Sequence, residues 1–568
     1  MNKLKQFDFI VANPPFSYKS WQNGCDPKHD VYKRFAYGIP PEANGDYAFL
    51  LHIIASLKDD TGKGAVILPH GVLFRGNVEG EIRKEIITKG YIKGIIGLPA
   101  NLFYGTGIPA CIIVLDKEFA KNRQEILMID ASKGFIKDGN KNRLRAQDVH
   151  KIVDVFNNQK EIKGYSRRVS IDEIVSDKNN YNLNLPRYID NDKQEDIHDL
   201  TAHLRGGIPK RDIDNLNNYW HIFKTLRQTI FKEDNDSEYA MVKIPVEKIH
   251  ETIINSQEYR SYTDKMIYIL YKWQAKNEIK LKELTIGSSL KKIIYEISEE
   301  LLNDFTDFPL IDKYDIYQYL MDYWSEIMQD DVSLIGASGW QKAAEISVIQ
   351  DEIKSKKLQE NPDIIIGSAK KAQKFKAGIV PVKLIMAKYF ATEEQTISKL
   401  QQEKETILQD LEEFLEEHNN EEGLLAEVKN DKGKLTKTAL TSRVNEIKND
   451  SKFTEDLKVL RQALEFISKE AKFTDEIKKL QVKLDLQIID YSQKLSEDYI
   501  KKLVVNEKWF AKLASDLMGE LERVTYNLTN RIKELEERYK KPLPEIISQL
   551  NDLNTQVDSH LKKMGLVW

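Results

Sequence analysis

Phe7-Asp8-Phe9-Ile10-Val11-Ala12-Asn13-Pro14-Pro15-Phe16 is the stretch whose reading decides the fold. An apolar, β-branched run that stops at Asn-Pro-Pro reads as a strand buried on both faces, ended by a turn in which neither proline can donate a hydrogen bond. Working outward, residues 65–68, 92–98 and 110–115 are further short apolar runs bounded by Gly, Pro or Asn. Between them, residues 47–58 and 81–89 read as helices, with Phe49, Leu50, Ile53, Ile54 and Leu57 on one stripe of the first. Such alternation predicts an α/β unit with a largely parallel sheet over residues 1–190.

After residue 190 the pattern turns helical, with few Gly and Pro, and residues 191–395 read as a mostly helical middle region. Residues 396–568 carry long-helix patterns. Ile397, Leu400, Lys404, Ile407, Leu411, Phe414 and His418 alternate in steps of three and four, a short coiled-coil seam. Phe510, Leu513, Leu517, Leu521, Val524, Leu528, Ile532 and Leu535 approach an 11-residue repeat, which favours nearly straight pairing. Pro542 and Pro544 stop that helix, and Ile546, Leu550, Leu553, Val557 and Met564 begin another that could fold back antiparallel. The partners of these stripes are either internal or on another subunit.

The 568 residues carry 85 Lys+Arg against 89 Asp+Glu, a net charge of −4, which excludes a globally basic nucleic-acid binder while leaving room for a local basic face. Cys25 and Cys111 are far apart, so neither a disulfide framework nor a cysteine zinc site is expected, and a reducing compartment fits. No apolar run approaches the ~20 residues that span a bilayer, so a cytoplasmic location without membrane contact is the expectation. No metal is expected: the histidines form no H-E-x-x-H pattern, and His52, His70 and His203 read as structural. No Walker-type glycine-lysine loop occurs either, so any ATP-driven translocation belongs to another subunit.

At the carboxyl end of a parallel strand, Asn13, Pro14, Pro15 and Phe16 set a side-chain amide, a rigid turn and a ring at the usual ligand crevice. That set suits methyl transfer to a planar exocyclic amino nitrogen, whose lone pair is delocalised into its ring and therefore weakly nucleophilic. The Asn13 side-chain oxygen and the Pro14 carbonyl could accept its two N–H bonds, and Phe16 could stack on a base swung out of its duplex. Positioning and electrostatics would do most of the catalysis. As a bland alternative, Asn and Pro routinely do no more than end a strand in a turn.

Asn13 to Phe16 does not stand alone. Asp46-Tyr47-Ala48-Phe49-Leu50, Gly64-Ala65-Val66-Ile67-Leu68-Pro69-His70-Gly71-Val72-Leu73-Phe74, Ile96-Gly97-Leu98-Pro99, Leu102-Phe103-Tyr104-Gly105-Thr106-Gly107-Ile108-Pro109 and Asn182-Leu183-Asn184-Leu185-Pro186-Arg187-Tyr188 follow it. With these blocks the chain resembles the methylation subunits of type I restriction-modification systems, N6-adenine DNA methyltransferases. Trp509-Phe510 and Met564-Gly565-Leu566-Val567-Trp568 are similar to the carboxyl end of longer members. The resemblance implies S-adenosylmethionine as donor, with Asn13 beside its methyl group. It implies as partners DNA, a DNA-specificity subunit, a second methylation subunit and a restriction/translocase subunit. The implied fold is the catalytic half of a Rossmann-like methyltransferase sheet, followed by a largely α-helical region with coiled-coil-like helices.

In that family a glycine loop for the donor precedes the Asn-Pro-Pro-Phe block by several tens of residues, and here the block begins at residue 13. Gly105-Thr106-Gly107 feeds a predicted strand rather than a helix, and Gly206-Gly207 has no strand before it. The expectation is a chain lacking the N-terminal part with that loop, inactive alone, its exposed sheet edge inviting a complementing N-terminal chain. Residues 133–168 hold ten basic against four acidic residues, and Arg143, Arg145, Arg167 and Arg168 are candidate phosphate contacts, a solvated face being the alternative. Residues 403–422 hold nine acidic residues and one Lys, which better suits a protein partner or an internal bundle than DNA. Two other functions fit the same residues: a non-catalytic scaffold for a specificity subunit, and methylation of another planar amine or amide.

Overall fold

A computed structural model describes residues 4–190, 197–234, 237–349, 361–367, 372–418, 428, 435–450 and 453–565. Glu421, Glu422, Leu566, Val567 and Trp568 of the sequence reading lie outside these residues. The chain divides into two compact units, one of residues 1–265, 301–321 and 520–568, the other of residues 266–300 and 322–519.

The first unit is built on β1 (Phe9–Ala12), β2 (Lys63–Pro69), β3 (Ile92–Gly97), β4 (Ala110–Asp116), β5 (Glu125–Asp130) and β8 (Ser166–Ser170), joined in the order β1-β2-β4-β3-β5-β8. Between β5 and β8 the short strands β6 (Ile136–Asp138) and β7 (Lys141–Arg143) form a separate hairpin. β1 pairs parallel with β2 and β3 with β5, whereas β4 and β8 run opposite to their neighbours. The sheet is therefore mixed, a correction to the largely parallel expectation. Its cause is the connection: residues 98–109 form no helix, and a chain that turns back without a helical crossover re-enters beside its own strand antiparallel. Carboxyl ends of β1, β2, β3 and β5 consequently share one rim.

Helices α1 (Asp46–Ser56) and α2 (Asn77–Thr88) bury Leu50, Leu51, Ile54, Ile82 and Ile86 against Val66, Leu68, Ile95 and Ile113. On the other side α3 (Ala146–Asn157) sets Ile152, Val155 and Phe156 on Ile96, Leu127 and Ile129. A Cβ at Gly94 would lie 2.6 Å from the Phe156 ring, so this strand position admits no side chain. The block from Asn182 to Tyr188 closes the layer: Leu183 donates to the Leu73 carbonyl at 2.9 Å, and Leu183 and Leu185 are buried in the α1/α2 core. The region read as mostly helical also contributes a small antiparallel sheet, Ile208–Pro209, Phe231–Glu233 and Tyr239–Val242.

In the second unit Ala391–Glu417 packs along the forty-residue helix Thr454–Gln493, with Lys437–Ile447 against the latter. Ile397 and Phe414 of the seam are buried and its other members half-buried, while Phe414 meets Phe466 at 5.8 Å and Lys404 pairs with Glu470 at 3.1 Å. That seam is internal. Another antiparallel sheet, Ser347–Val348, Ile364–Ile366 and Gln373–Lys376, lies in this unit. Two wide π-helical stretches occur in this unit, Trp324–Met328 and Lys502–Phe510, and the second supplies Lys508 Nζ at 2.5 Å and Trp509 Nε1 at 2.8 Å as donors to Asp331.

Candidate active site

β1 delivers Asn13 to the rim. Residue 12 ends the strand, Asn13 and Pro15 are exposed, and Pro14 and Phe16 are half-buried. The turn is held from behind. Ser17, at a φ of 51°, donates its N–H to Asp46 Oδ1 at 2.7 Å, and Gly45 N–H donates to the Tyr18 carbonyl at 2.9 Å. A left-handed serine costs energy, and it persists here because a fully buried carboxylate holds it. Asp46 is itself gripped by Arg75, whose Nη1 donates to Oδ2 at 2.8 Å and to Glu79 at 3.3 Å. Burial pushes the Glu79 carboxyl above its ordinary value, with Arg75 opposing.

Phe16 meets Phe103 edge-on, ring centroids 5.6 Å apart at 76°. Phe103 belongs to the 98–109 connection, which the β6–β7 hairpin anchors. Lys141 Nζ donates to the Phe103 carbonyl at 2.7 Å and to Thr106 at 3.0 Å, Asn142 Nδ2 to Ala100 at 2.7 Å, and Asn142 N–H to Asn101 at 3.0 Å. Four hydrogen bonds from one short hairpin fix the loop that brings the second ring to the first. The sequence reading missed Asp46, Phe103, Lys141 and Asn142 as site residues. Phe103 was legible as an aromatic in a glycine-rich block, whereas Lys141 and Asn142 act through backbone carbonyls and leave no spacing signal.

At the tip of β2, His70 donates its backbone N–H to the Pro109 carbonyl at 3.1 Å, and its Nε2 is buried without a partner. Burial pushes the imidazole below its ordinary value. Tyr47, beneath the same rim, donates to the Val72 carbonyl at 2.6 Å and is pushed up to about 12 by burial.

The four arginines read as phosphate contacts are not gathered at this rim. Arg143 sits on the hairpin and pairs with Asp138 at 3.2 Å, and Arg145 forks onto Asp148 at 2.9 Å at the start of α3. Arg167 and Arg168 lie on β8, the sheet edge opposite β1, paired with Glu173 at 2.7 Å and Glu125 at 3.7 Å. No group of three or more metal-ligating side chains occurs among the described residues, nor any helix long and apolar enough to cross a membrane.

Residues 1–197 match the N-6 DNA Methylase family. Over 209 residues the chain is 35% identical to the type I restriction enzyme MjaVII methylase subunit of Methanocaldococcus jannaschii, 35% of each chain being covered. Over 225 residues it is 37% identical to the HindI methylase subunit of Haemophilus influenzae, covering 36% of this chain and 48% of that one. A solved methyltransferase subunit of a type I restriction-modification system from Streptococcus thermophilus is 41% identical over 33% of this chain and 38% of its own, with a TM-score of 0.30. The chain thus spans between about a third and a half of the length of the curated relatives it matches. S-adenosylmethionine, the donor the resemblance implies, does not find its glycine cradle among the described residues. Gly105 and Gly107 lead into the antiparallel β4, and Gly206 and Gly207 separate a six-residue helix from a two-residue strand. By sequence, then, residues 1–197 match the N-6 DNA Methylase family and resemble part of the methylase subunits of type I restriction enzymes.

Proposed function

We propose that the chain serves as the methylation subunit of a type I restriction-modification complex and handles the target adenine in methylation of DNA at N6. The Asn13 side-chain oxygen and the Pro14 carbonyl accept the two N–H bonds of the amino group. That turns the nitrogen lone pair out of the ring plane toward the methyl donor. Phe16 and Phe103 offer a face and an edge to the extruded base, and the Asp46–Ser17 contact keeps the turn from collapsing when the base leaves. The observation that carries this reading is the edge-on Phe16–Phe103 pair beside Asn13 at the carboxyl rim of the sheet.

Methyl transfer on this reading requires further polypeptide. Support comes from the lack of a glycine cradle among the described residues and from β1 itself, an edge strand whose Phe9 and Val11 are 75% and 84% exposed beside a groove of about 240 Å³ lined by Val114, Leu115 and Phe156. A complementing N-terminal chain pairing with β1 would cover that face, and a specificity subunit would supply sequence recognition. A second methylation subunit and a restriction/translocase subunit complete the assembly. Arg143, on the hairpin that anchors the Phe103 loop, is better placed than Arg167 and Arg168 to meet a phosphate near the base.

The test is methyl transfer from labelled S-adenosylmethionine to duplex DNA. The 568 residues alone are expected to give little product. In the complemented complex Asn13→Ala should lower turnover by at least about a hundredfold, the usual cost of removing one preorganised polar contact to the reacting group, with assembly intact. Equal methyl transfer by wild type and Asn13→Ala would sink the reading in favour of a scaffold. Acceptance of methyl by protein or RNA instead of DNA would move it to another planar amine or amide.

A further inference from the structure

Next to Phe103 the same loop carries Tyr104, whose side chain is 93% exposed, the most exposed large ring among the described residues. Phe103 turns toward Phe16, and its neighbour turns out to solvent. The exposure does not come from a slack loop. Lys141 bonds the carbonyls on both sides of the tip, at Phe103 and Thr106, and Asn101 N–H closes the base of the loop on the Gly107 carbonyl at 3.3 Å. Gly105 follows at a φ of +78° with nothing within 4 Å of where its Cβ would be, so the space around the tip is open. A phenol ring carried out into water on a tethered loop buries none of its apolar area, so its exposure adds nothing to the core. The hairpin behind it adds the exposed cations Lys137 and Arg143.

We infer that Tyr104 is a stacking residue for a nucleic-acid base outside the crevice: the base left with a bare face when its neighbour is extruded toward Asn13. The inference rests on the DNA methylase reading and names a contact beyond the target base itself. Extrusion strips one face from each adjoining base, and an aromatic side chain on a fixed support replaces the lost stack with little ordering cost. Stacking of one base on one ring is worth roughly five- to a hundredfold in affinity, without preference among the four bases.

The experiment measures binding of the full chain to two fluorescent duplexes of one sequence, one intact and one with a single abasic position that bares the neighbouring faces. Wild type should prefer the abasic duplex by at least about fivefold. Tyr104→Ala should lose that preference, Tyr104→Trp should keep it, and the melting temperature should be the same in all three because the ring is exposed. A 5-iodouracil placed beside the abasic position should cross-link on irradiation to the peptide holding Tyr104. Unchanged preference in Tyr104→Ala, a cross-link that maps elsewhere, or no preference in wild type would overturn the inference. None of these decides the methylase reading, which stands or falls on methyl transfer by wild type and Asn13→Ala in the complemented complex.

Discussion

Two helices near the carboxyl end, Ala511–Tyr539 and Leu543–Lys563, carry apolar stripes of like periodicity and lie three residues apart in sequence. Every member of the first stripe is at most 5% exposed, from Phe510 through Leu517 and Leu528 to Leu535. In the second, Leu543, Ile546, Leu550, Leu553, Val557 and Met564 are between 44% and 76% exposed, and the helix buries no residue. The expected fold-back past Pro542 and Pro544 does not occur. Periodicity states that a helix has a face to bury, and says nothing of what buries it. Steps of 3, 4, 3, 4 and then 7 through Leu543, Ile546, Leu550, Leu553, Val557 and Met564 make a heptad seam, with Gln549, Asn554 and Gln556 alongside instead of charges. Such a face suits the helices of a specificity subunit, which the proposed assembly supplies.

The largest effect that can break this contrast is a cavity. Leu528→Ala should cost the chain about 3 kcal/mol, because a fully buried leucine leaves a void that its neighbours fill only in part. Leu550→Glu should leave the melting temperature unchanged, yet weaken capture of a specificity subunit more than about tenfold. Should Leu550→Glu destabilise the isolated chain as much as Leu528→Ala does, the second stripe is covered internally and the comparison fails. Circular dichroism melts and a pull-down on the two variants read both halves.

How much of this was legible follows the same division. Strands β2, β3 and β4 stood out because a run of buried apolar residues is a composition signal confined to its own residues, whereas β1 has the same composition but forms the sheet edge with Phe9 and Val11 exposed, a correction to its reading as buried on both faces. The direction of β4 was not legible: residues 98–109, with Pro99, Gly105, Gly107 and Pro109, read as a loop, but the apolar run of β4 itself carries no sign of whether it runs with or against its neighbours. Asn13 to Phe16 announced the site, but Asp46 joined it only through a 2.7 Å bond across 29 residues. The seam from Ile397 to His418 was readable as a seam and unreadable as internal, because its partner Thr454–Gln493 begins beyond a long intervening stretch.

Charge at the flank of the buried stripe sharpens the contrast by a smaller amount. Glu520 is 1% exposed on the helix Ala511–Tyr539, and its carboxylate accepts from Arg523 Nε at 2.8 Å and from Tyr319 Oη at 3.3 Å. Removing the cation leaves a buried anion with one weak donor, so Arg523→Ala should cost about 2 kcal/mol. Lys562→Ala on the exposed helix should cost less than about 0.5 kcal/mol, as surface substitutions do. Equal costs would mean that Glu520 finds water or another donor, and that the first helix is less tightly covered than its stripe implies.

The smallest effect is a pH dependence, and it tests the cover over α3. Asp154 accepts from Lys160 Nζ at 3.1 Å and from the Tyr314 hydroxyl, and Lys313 Nζ stands 3.4 Å away. Burial pushes the Asp154 carboxyl up, but Tyr314 and the two lysines outweigh it and hold the group at about 2. An unfolded aspartate titrates near ~3.9, so its proton is bound more tightly in the unfolded chain, and the ion pairs stabilise the fold in full above that value. The contribution, about 1 kcal/mol after solvent screening, is lost as pH falls from about 4 through about 2. Asp154→Asn should therefore be less stable than wild type at pH 7 and indistinguishable from it below pH ~2, read by urea melts across that window. A difference between the two proteins that persists unchanged into acid would show that the aspartate acts through packing, with no part for its charge.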